Sequence, residues 1–146
     1  MTASATPTLW KKTATIADLA RVHHDTVVQQ LGIEFTEIGP DWLSARMPVD
    51  ARTKQPAGIL HGGSSVVLAE TLGSVAAWLT LEEGRQAVGL DINANHIRAM
   101  RAGWVEGRCT PMHVGRGTQV WQIEIRDEAG RLACVSRITM AILDRA

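Results

Sequence analysis

One stretch constrains the fold more than any other. From Ser64 to Leu81 the chain reads Ser-Ser-Val-Val-Leu-Ala-Glu-Thr-Leu-Gly-Ser-Val-Ala-Ala-Trp-Leu-Thr-Leu, with no proline and a single charge, Glu70. Val66, Val67, Leu68, Leu72, Val75, Ala76 and Leu79 cover nearly every face of a helix of about 18 residues, and a helix apolar all round is a buried one. A lone carboxylate in such surroundings costs several kcal/mol of desolvation unless something compensates it. Glu70 is therefore expected either on a solvated edge of the helix or in a functional role.

The entry to the helix favours the functional role. His61-Gly62-Gly63 leads into Ser64-Ser65, so a glycine can adopt backbone angles closed to other residues. The free N–H groups of the first turn then face outward at the positive end of the helix dipole. Such a place suits an anion or a developing oxyanion. Gly62 and Glu70 are eight positions apart, about 12 Å along the axis. One carbonyl cannot be held at Gly62 and attacked at Glu70 of the same helix. Joint action requires two antiparallel copies across a two-fold axis, and so a site shared between subunits.

Around the helix the pattern is strand-like. Residues 32–49 read as a hairpin turning at Gly39-Pro40-Asp41, with Leu43, Ala45, Met47 and Val49 alternating inward. Four further runs follow the helix. Val88, Leu90, Ile92 and Ala94 share one face of the first, and the second covers about Gly103 to Met112. Gln119, Trp121, Ile123 and Ile125 share a face of the third. Leu132, Cys134, Ser136, Ile138, Met140 and Ile142 do so in the fourth, after a turn at Asp127-Glu128-Ala129-Gly130. Hairpin, long helix and four strands predict an α+β fold, an antiparallel sheet with the helix packed on one face. Residues 15–31 predict one more helix, opened by a Thr15/Asp18 capping box, with Ile16, Leu19, Ala20, His23 and Val27 on one face. His23-His24 has no further ligand cluster beside it and reads as surface or packing rather than metal.

The remaining composition narrows the function. At 146 residues the chain makes one domain, residues 15–146, behind a flexible N-terminus of residues 1–14. Fifteen basic and fifteen acidic side chains cancel, leaving no field to attract nucleic acid or an anionic membrane. Two cysteines, both in strand-like runs, predict buried thiols of a reducing compartment, and no run approaches a membrane span. A soluble cytoplasmic protein is expected. There is no G-x-S-x-G elbow, no G-x-G-x-x-G, no Walker motif and no tyrosine to serve as general acid.

The runs Pro48-Val49-Asp50, Thr53-Lys54-Gln55-Pro56, His61-Gly62-Gly63, Val66-Val67-Leu68-Ala69-Glu70 and Gly73-Ser74-Val75-Ala76 resemble the hotdog-fold acyl-CoA thioesterases. So do Val88-Gly89-Leu90-Asp91-Ile92-Asn93-Ala94-Asn95-His96 and Val120-Trp121-Gln122-Ile123-Glu124-Ile125. The nearest subgroup acts on 1,4-dihydroxy-2-naphthoyl-CoA and hydroxybenzoyl-type thioesters, and the resemblance covers about Gly32 to Leu143. Ala57 departs from it, standing where the closest relatives tend to carry Phe, which bears on the shape of the acyl pocket.

The resemblance implies a hotdog fold, an antiparallel sheet wrapped around the long central helix. It also implies a homotetramer, a dimer of dimers with sites at subunit interfaces. Thioester hydrolysis needs an attacking water or carboxylate and donors where negative charge develops. Glu70 is the attacker, as base or as nucleophile, and the Gly62 N–H holds the carbonyl oxygen. Gln55 and His61 polarise that carbonyl or orient water, and Ser74 positions the carboxylate. Coenzyme A contacts are implied at Gly89, at His96, Ile97, Arg98 and Ala99, and at His113, Val114, Gly115, Arg116, Gly117 and Thr118. No metal and no cofactor are expected, coenzyme A being part of the substrate. A hotdog enoyl-CoA hydratase and a non-catalytic acyl-CoA-binding protein are the alternatives. The first carries a different acid/base dyad motif, and the second works through a DNA-binding appendage or partner.

Overall fold

A computed structural model describes residues 7–146. In chain order the elements are α1 (Ile16–Val22), α2 (Val27–Gln30), β1 (Glu34–Ile38), β2 (Leu43–Pro48), α3 (Gly62–Leu79), β3 (Arg85–His96), β4 (Trp104–Val114), β5 (Thr118–Asp127) and β6 (Leu132–Asp144). The six strands form one sheet in the order β1-β2-β4-β5-β6-β3, antiparallel at every pairing. Helix α3 lies against β2, β3, β4, β5 and β6. The sheet wrapped on a central helix is the expected architecture.

Period-two alternation builds the inner face. Leu43, Ala45 and Met47 of β2, Trp121, Ile123 and Ile125 of β5, and Ile138 and Met140 of β6 are buried against Leu68, Leu72, Ala76 and Leu79 of α3. Each fully buried aliphatic side chain stabilises the fold by about 2 kcal/mol. The opposite face is charged. Glu34, Arg46, Glu106 and Arg126 stand opposite one another across β1, β2, β4 and β5, an alternation of sign that suits a solvated face.

Three expectations are corrected. Residues 15–31 do not form one helix. The capping box is present, with the Thr15 N–H donating to Asp18 and the Asp18 N–H to Thr15. However, Asp25 adopts a positive φ of 57° and Thr26 caps a separate short helix. The break moves burial from Val27 to Val28.

The N-terminal segment expected to be flexible is docked where it is described. The Leu9 N–H donates to the Pro40 carbonyl, and the Lys11 N–H to Leu79. Trp10 stacks on Trp121, with ring centroids 6.1 Å apart, and its indole N–H donates to Gly39. Covering a buried tryptophan is what fixes the segment; residues 1–6 lie outside the described residues.

In β3, Val88 and Leu90 do not share a face with Ile92 and Ala94. The register slips between Gly89 and Asp91. Ala87 therefore faces the core before the bulge, and Ile92 and Ala94 face it afterwards. A bulge reverses which alternate side chains point inward. Val88 and Leu90 are left exposed, the latter at 62%, on a twelve-residue strand at the edge of the sheet.

Candidate active site

The loop before α3 is tied down residue by residue. Thr53 is buried; its hydroxyl donates to the Pro48 carbonyl at 2.6 Å, and its own carbonyl accepts the His61 N–H at 2.8 Å. The Leu60 N–H donates to Met100 at 2.7 Å, and Lys54 bridges to Leu60. Gln55 sits in the turn so formed, and its Oε1 accepts the N–H of Ala57. A backbone N–H can be satisfied only by the amide oxygen, so the NH₂ end of Gln55 is the free one.

His61 is the N-cap of α3, its Nδ1 accepting the Gly63 N–H at 2.8 Å. The neutral ring then carries its proton on Nε2, a donor. The glycines do not use the unusual backbone angles expected of them. Positive φ occurs at Gly32, Gly58, Gly84, Gly103 and Gly130, while Gly62 and Gly63 are simply the first helical residues. Gly62 is needed for space, because a β-carbon there would stand 2.7 Å from Nε2 of His96. Its N–H is one of the first-turn donors that have no partner within a helix, and no acceptor is found for it among the described residues. Gly62 and Gln55 line a cleft of about 350 Å³ with Ser65, His96, Ile97 and Arg98. Two free donors therefore face one cleft, and the His61 Nε2–H stands at the cap immediately before it.

Glu70 occupies a solvated edge of α3, one of its two expected placements, and its carboxylate is exposed. No ion pair or hydrogen bond engages it among the described residues. It lies over β3 at Gly89, where a β-carbon would come within 3.0 Å of Oε1. Glu70 and Ser74 line a second groove of about 340 Å³, walled by Val67, Thr71 and Val75 on α3 and by His23 and Val27 across it. No hydrogen bond joins Ser74 to Glu70. Donor cleft and carboxylate groove are separate in one chain, as the helix spacing requires.

The expected coenzyme A contacts also divide. His96 to Ala99 line the donor cleft. Residues 113–118 form the β4–β5 hairpin, where Val114, Gly115 and Arg116 edge another cavity of about 340 Å³ with Lys11 and Arg85; Arg85 Nη2 donates to the Arg116 carbonyl at 3.1 Å. His96 pairs with Cys134 and Thr118 with Ala141 on β6, a separation of about 23 Å at the rise of a strand. Gly89 belongs to neither cluster and lies under Glu70. Arg46, Arg52, Arg85, Arg126 and Arg131 are matched to carboxylates, whereas no carboxylate pairs with Arg98 or Arg116 among the described residues. Nor do three or more His, Cys, Asp or Glu side chains gather there as a metal centre would need.

Comparison with known proteins decides the family. The model of the thioesterase superfamily matches residues 57–134, more than half of the chain. The chain belongs to the thioesterase superfamily. It is 56% identical over 135 residues to the 1,4-dihydroxy-2-naphthoyl-CoA hydrolase of Escherichia coli K12, covering 92% of this chain and 99% of that one. It is 50% identical to the proofreading thioesterase EntH of Cronobacter turicensis, with coverages of 92% and 98%. Among solved structures, a thioesterase from Haemophilus influenzae superposes with a TM-score of 0.91 at 55% identity, covering 93% of this chain and 95% of that one. A mutant thioesterase from Pseudomonas aeruginosa gives 0.92 at 41% identity, with coverages of 94% and 99%. The protein is a thioester hydrolase of the hotdog fold.

In this thioesterase the far wall of the carboxylate groove is not announced by the sequence around Glu70. His23 and Val27 reach it because α1 ends at Val22, well short of the expected end at residue 31. The signal was Asp25, whose short polar side chain tolerates the left-handed conformation that breaks the helix. Ser65 lines the donor cleft and Thr71 the carboxylate groove, and nothing in the local sequence distinguishes them from other helix residues.

Proposed function

We propose that this thioesterase hydrolyses acyl-CoA thioesters carrying aromatic acyl groups, of the 1,4-dihydroxy-2-naphthoyl or hydroxybenzoyl kind, to the free acid and coenzyme A. The carrying observation is the division of parts along α3, with unpartnered donors at its first turn and an unpartnered carboxylate two turns on. The acyl class is that of the Escherichia coli relative. The Gly62 N–H and the Gln55 NH₂ receive the carbonyl oxygen, with His61 beside them, as negative charge develops. Glu70 either takes a proton from the attacking water or attacks directly to give a transient anhydride, and Ser74, lining the same groove, orients the water. In both courses a C–O bond forms at the carbonyl, the C–S bond breaks, and the thiolate of coenzyme A leaves and is protonated; in the second course water then opens the anhydride, releasing the free acid and restoring the Glu70 carboxylate. The chemistry calls for no metal and no separate cofactor.

The working unit is a dimer. Strand β3 offers a free edge with exposed Val88 and Leu90, a template for pairing with a second copy. Glu70 lies over Gly89 while Gly62 lies against His96. Antiparallel pairing of β3 with its copy, about a two-fold axis near Ile92 and Asn93, sets Glu70 of one subunit against the cleft of the other. It also lets one coenzyme A reach His96 to Ala99 and the 113–118 hairpin from different chains, with Arg98 and Arg116 on its phosphates. Two such dimers make the homotetramer read from the resemblance. We place the protein in the cytoplasm. Cys109 and Cys134 are free, buried thiols that burial holds protonated, above their ordinary pKa. No helix among the described residues is long and apolar enough to cross a membrane.

A hydrolysis screen over aryl and aliphatic acyl-CoAs, read by release of free thiol, tests the reading. Aryl thioesters should give the highest kcat/KM. Preference for long aliphatic chains would overturn the aromatic assignment.

A further inference from the structure

We propose that His23 is a specificity-determining residue, accepting a hydrogen bond from a hydroxyl group on the acyl part of the substrate. The inference rests on the aryl-thioesterase reading and deepens it by naming the group that reads the ring substituent.

The observations are local to the carboxylate groove. His23 and Val27 form the wall facing Glu70, so an acyl group whose carbonyl is attacked by Glu70 extends past them. Val27, Val67 and Val75 make the walls apolar, as an aromatic ring requires. At about 340 Å³ the groove has room for such a ring. Its polar groups beside Glu70 and Ser74 are Thr71 and the imidazole of His23.

The tautomer of that imidazole is fixed by its other contact. Nδ1 lies 2.7 Å from the carbonyl oxygen of Leu19, four residues earlier on α1. A carbonyl can only accept, so Nδ1 carries the proton, and in the neutral ring Nε2 holds a lone pair. No partner for Nε2 is found among the described residues. Packing against Phe35, with ring centroids 5.2 Å apart, restrains the imidazole. The groove therefore presents an oriented acceptor. A phenolic hydroxyl is the matching donor, and an unsubstituted ring leaves Nε2 unpaired. A site that hydrogen-bonds a substrate hydroxyl disfavours the analogue lacking it. With one neutral hydrogen bond at stake, the discrimination is roughly five- to tenfold.

The test compares benzoyl-CoA with its 2-, 3- and 4-hydroxy derivatives on the intact oligomer. Wild type should turn over at least one hydroxylated thioester roughly five to ten times better in kcat/KM than benzoyl-CoA. His23→Leu, similar in bulk but with no acceptor, should bring that ratio to about one, the ratio and not the absolute rate being the readout. His23→Gln, whose amide oxygen reaches close to the position of Nε2, should keep most of the preference. Circular dichroism and thermal melting establish that both variants are folded, and His23→Phe, which also lacks an acceptor, carries the test if the Leu variant is not. An unchanged ratio in folded His23→Leu, its loss in folded His23→Gln, or no hydroxyl preference in wild type overturns the proposal. Cleavage of aliphatic but no aryl thioesters would remove the aromatic reading along with it, whereas cleavage of aryl thioesters without a His23 effect removes this inference alone.

Discussion

Gly62 and His96 are in contact so close that a single β-carbon on Gly62 would sit 2.7 Å from the imidazole Nε2. The first turn of α3 and the last residue of β3 are thus fitted to each other, and the free Gly62 N–H lies in the gap they leave. Gly62→Ala should retain the fold, since the residue is already helical and the His96 ring is exposed and can swing. It should lower kcat about tenfold or more, because the donor or the ring must shift by several tenths of an ångström. Combining it with His96→Ala should recover much of kcat. Failure of the double variant to recover would mean that the contact is not the cause.

Glu70→Gln preserves size and hydrogen bonding while removing the charge. The variant should melt within a few degrees of wild type, since Glu70 makes no ion pair or hydrogen bond among the described residues, yet lose at least a hundredfold in kcat. Glu70→Asp should also be strongly impaired, as roughly 1 Å of retraction spoils an attack geometry. Near-normal turnover by the folded Gln variant would remove Glu70 from the mechanism.

Arg98 and Arg116 should act on binding. Replacing either by Ala is expected to raise KM for an acyl-CoA severalfold with little change in kcat, the pattern of lost uniform binding. A truncated thioester without the nucleotide should be hydrolysed equally by variant and wild type. Equal losses on both substrates would contradict phosphate contact.

Subunit mixing tests the shared site. A Glu70→Gln chain and a Gln55→Ala, His61→Ala chain should each be nearly inactive alone. After exchange, about half of the dimers are mixed, each with one intact site, so activity should return to roughly a quarter of wild type. No recovery despite exchange, followed by mass spectrometry of the mixed species, would place the whole site in one chain.

The β5–β6 turn carries a pH dependence of its own. The Asp127 carboxylate accepts the Arg131 and Ala129 N–H groups and the Arg131 guanidinium, and these, the Arg131 backbone bond foremost, hold its pKa below the ordinary aspartate value. Folding therefore releases protons from this group. Its stabilisation is complete above the ordinary aspartate range and declines as pH falls through the lowered value. Asp127→Asn should lower Tm at pH 7, and the gap from wild type should narrow below about pH 4. A gap independent of pH would contradict the assignment.

The α3 run, the inward alternation of β2, β5 and β6, and the Thr15 capping box were legible in the sequence because each is set by neighbours within a few residues. Periodicity reports which side chains share a face, and burial of those faces then selects the layer arrangement. The spacing of Gly62 and Glu70 was legible too, since the helical rise is constant, and joint action of the two on one carbonyl would require two chains. Tertiary structure decided what depends on residues far apart in sequence. The bulge at Leu90 turned half of β3 outward, a slip that no alternation pattern contains. Docking on Trp121 ordered the segment around Trp10. The exposure of Glu70 could not be read from its apolar neighbours, because which stripe of α3 the sheet leaves uncovered depends on where the strands close around it. His96 against Gly62 and His23 across from Glu70 are likewise products of the fold, joining residues separated by more than thirty positions, with nothing local to announce either pair.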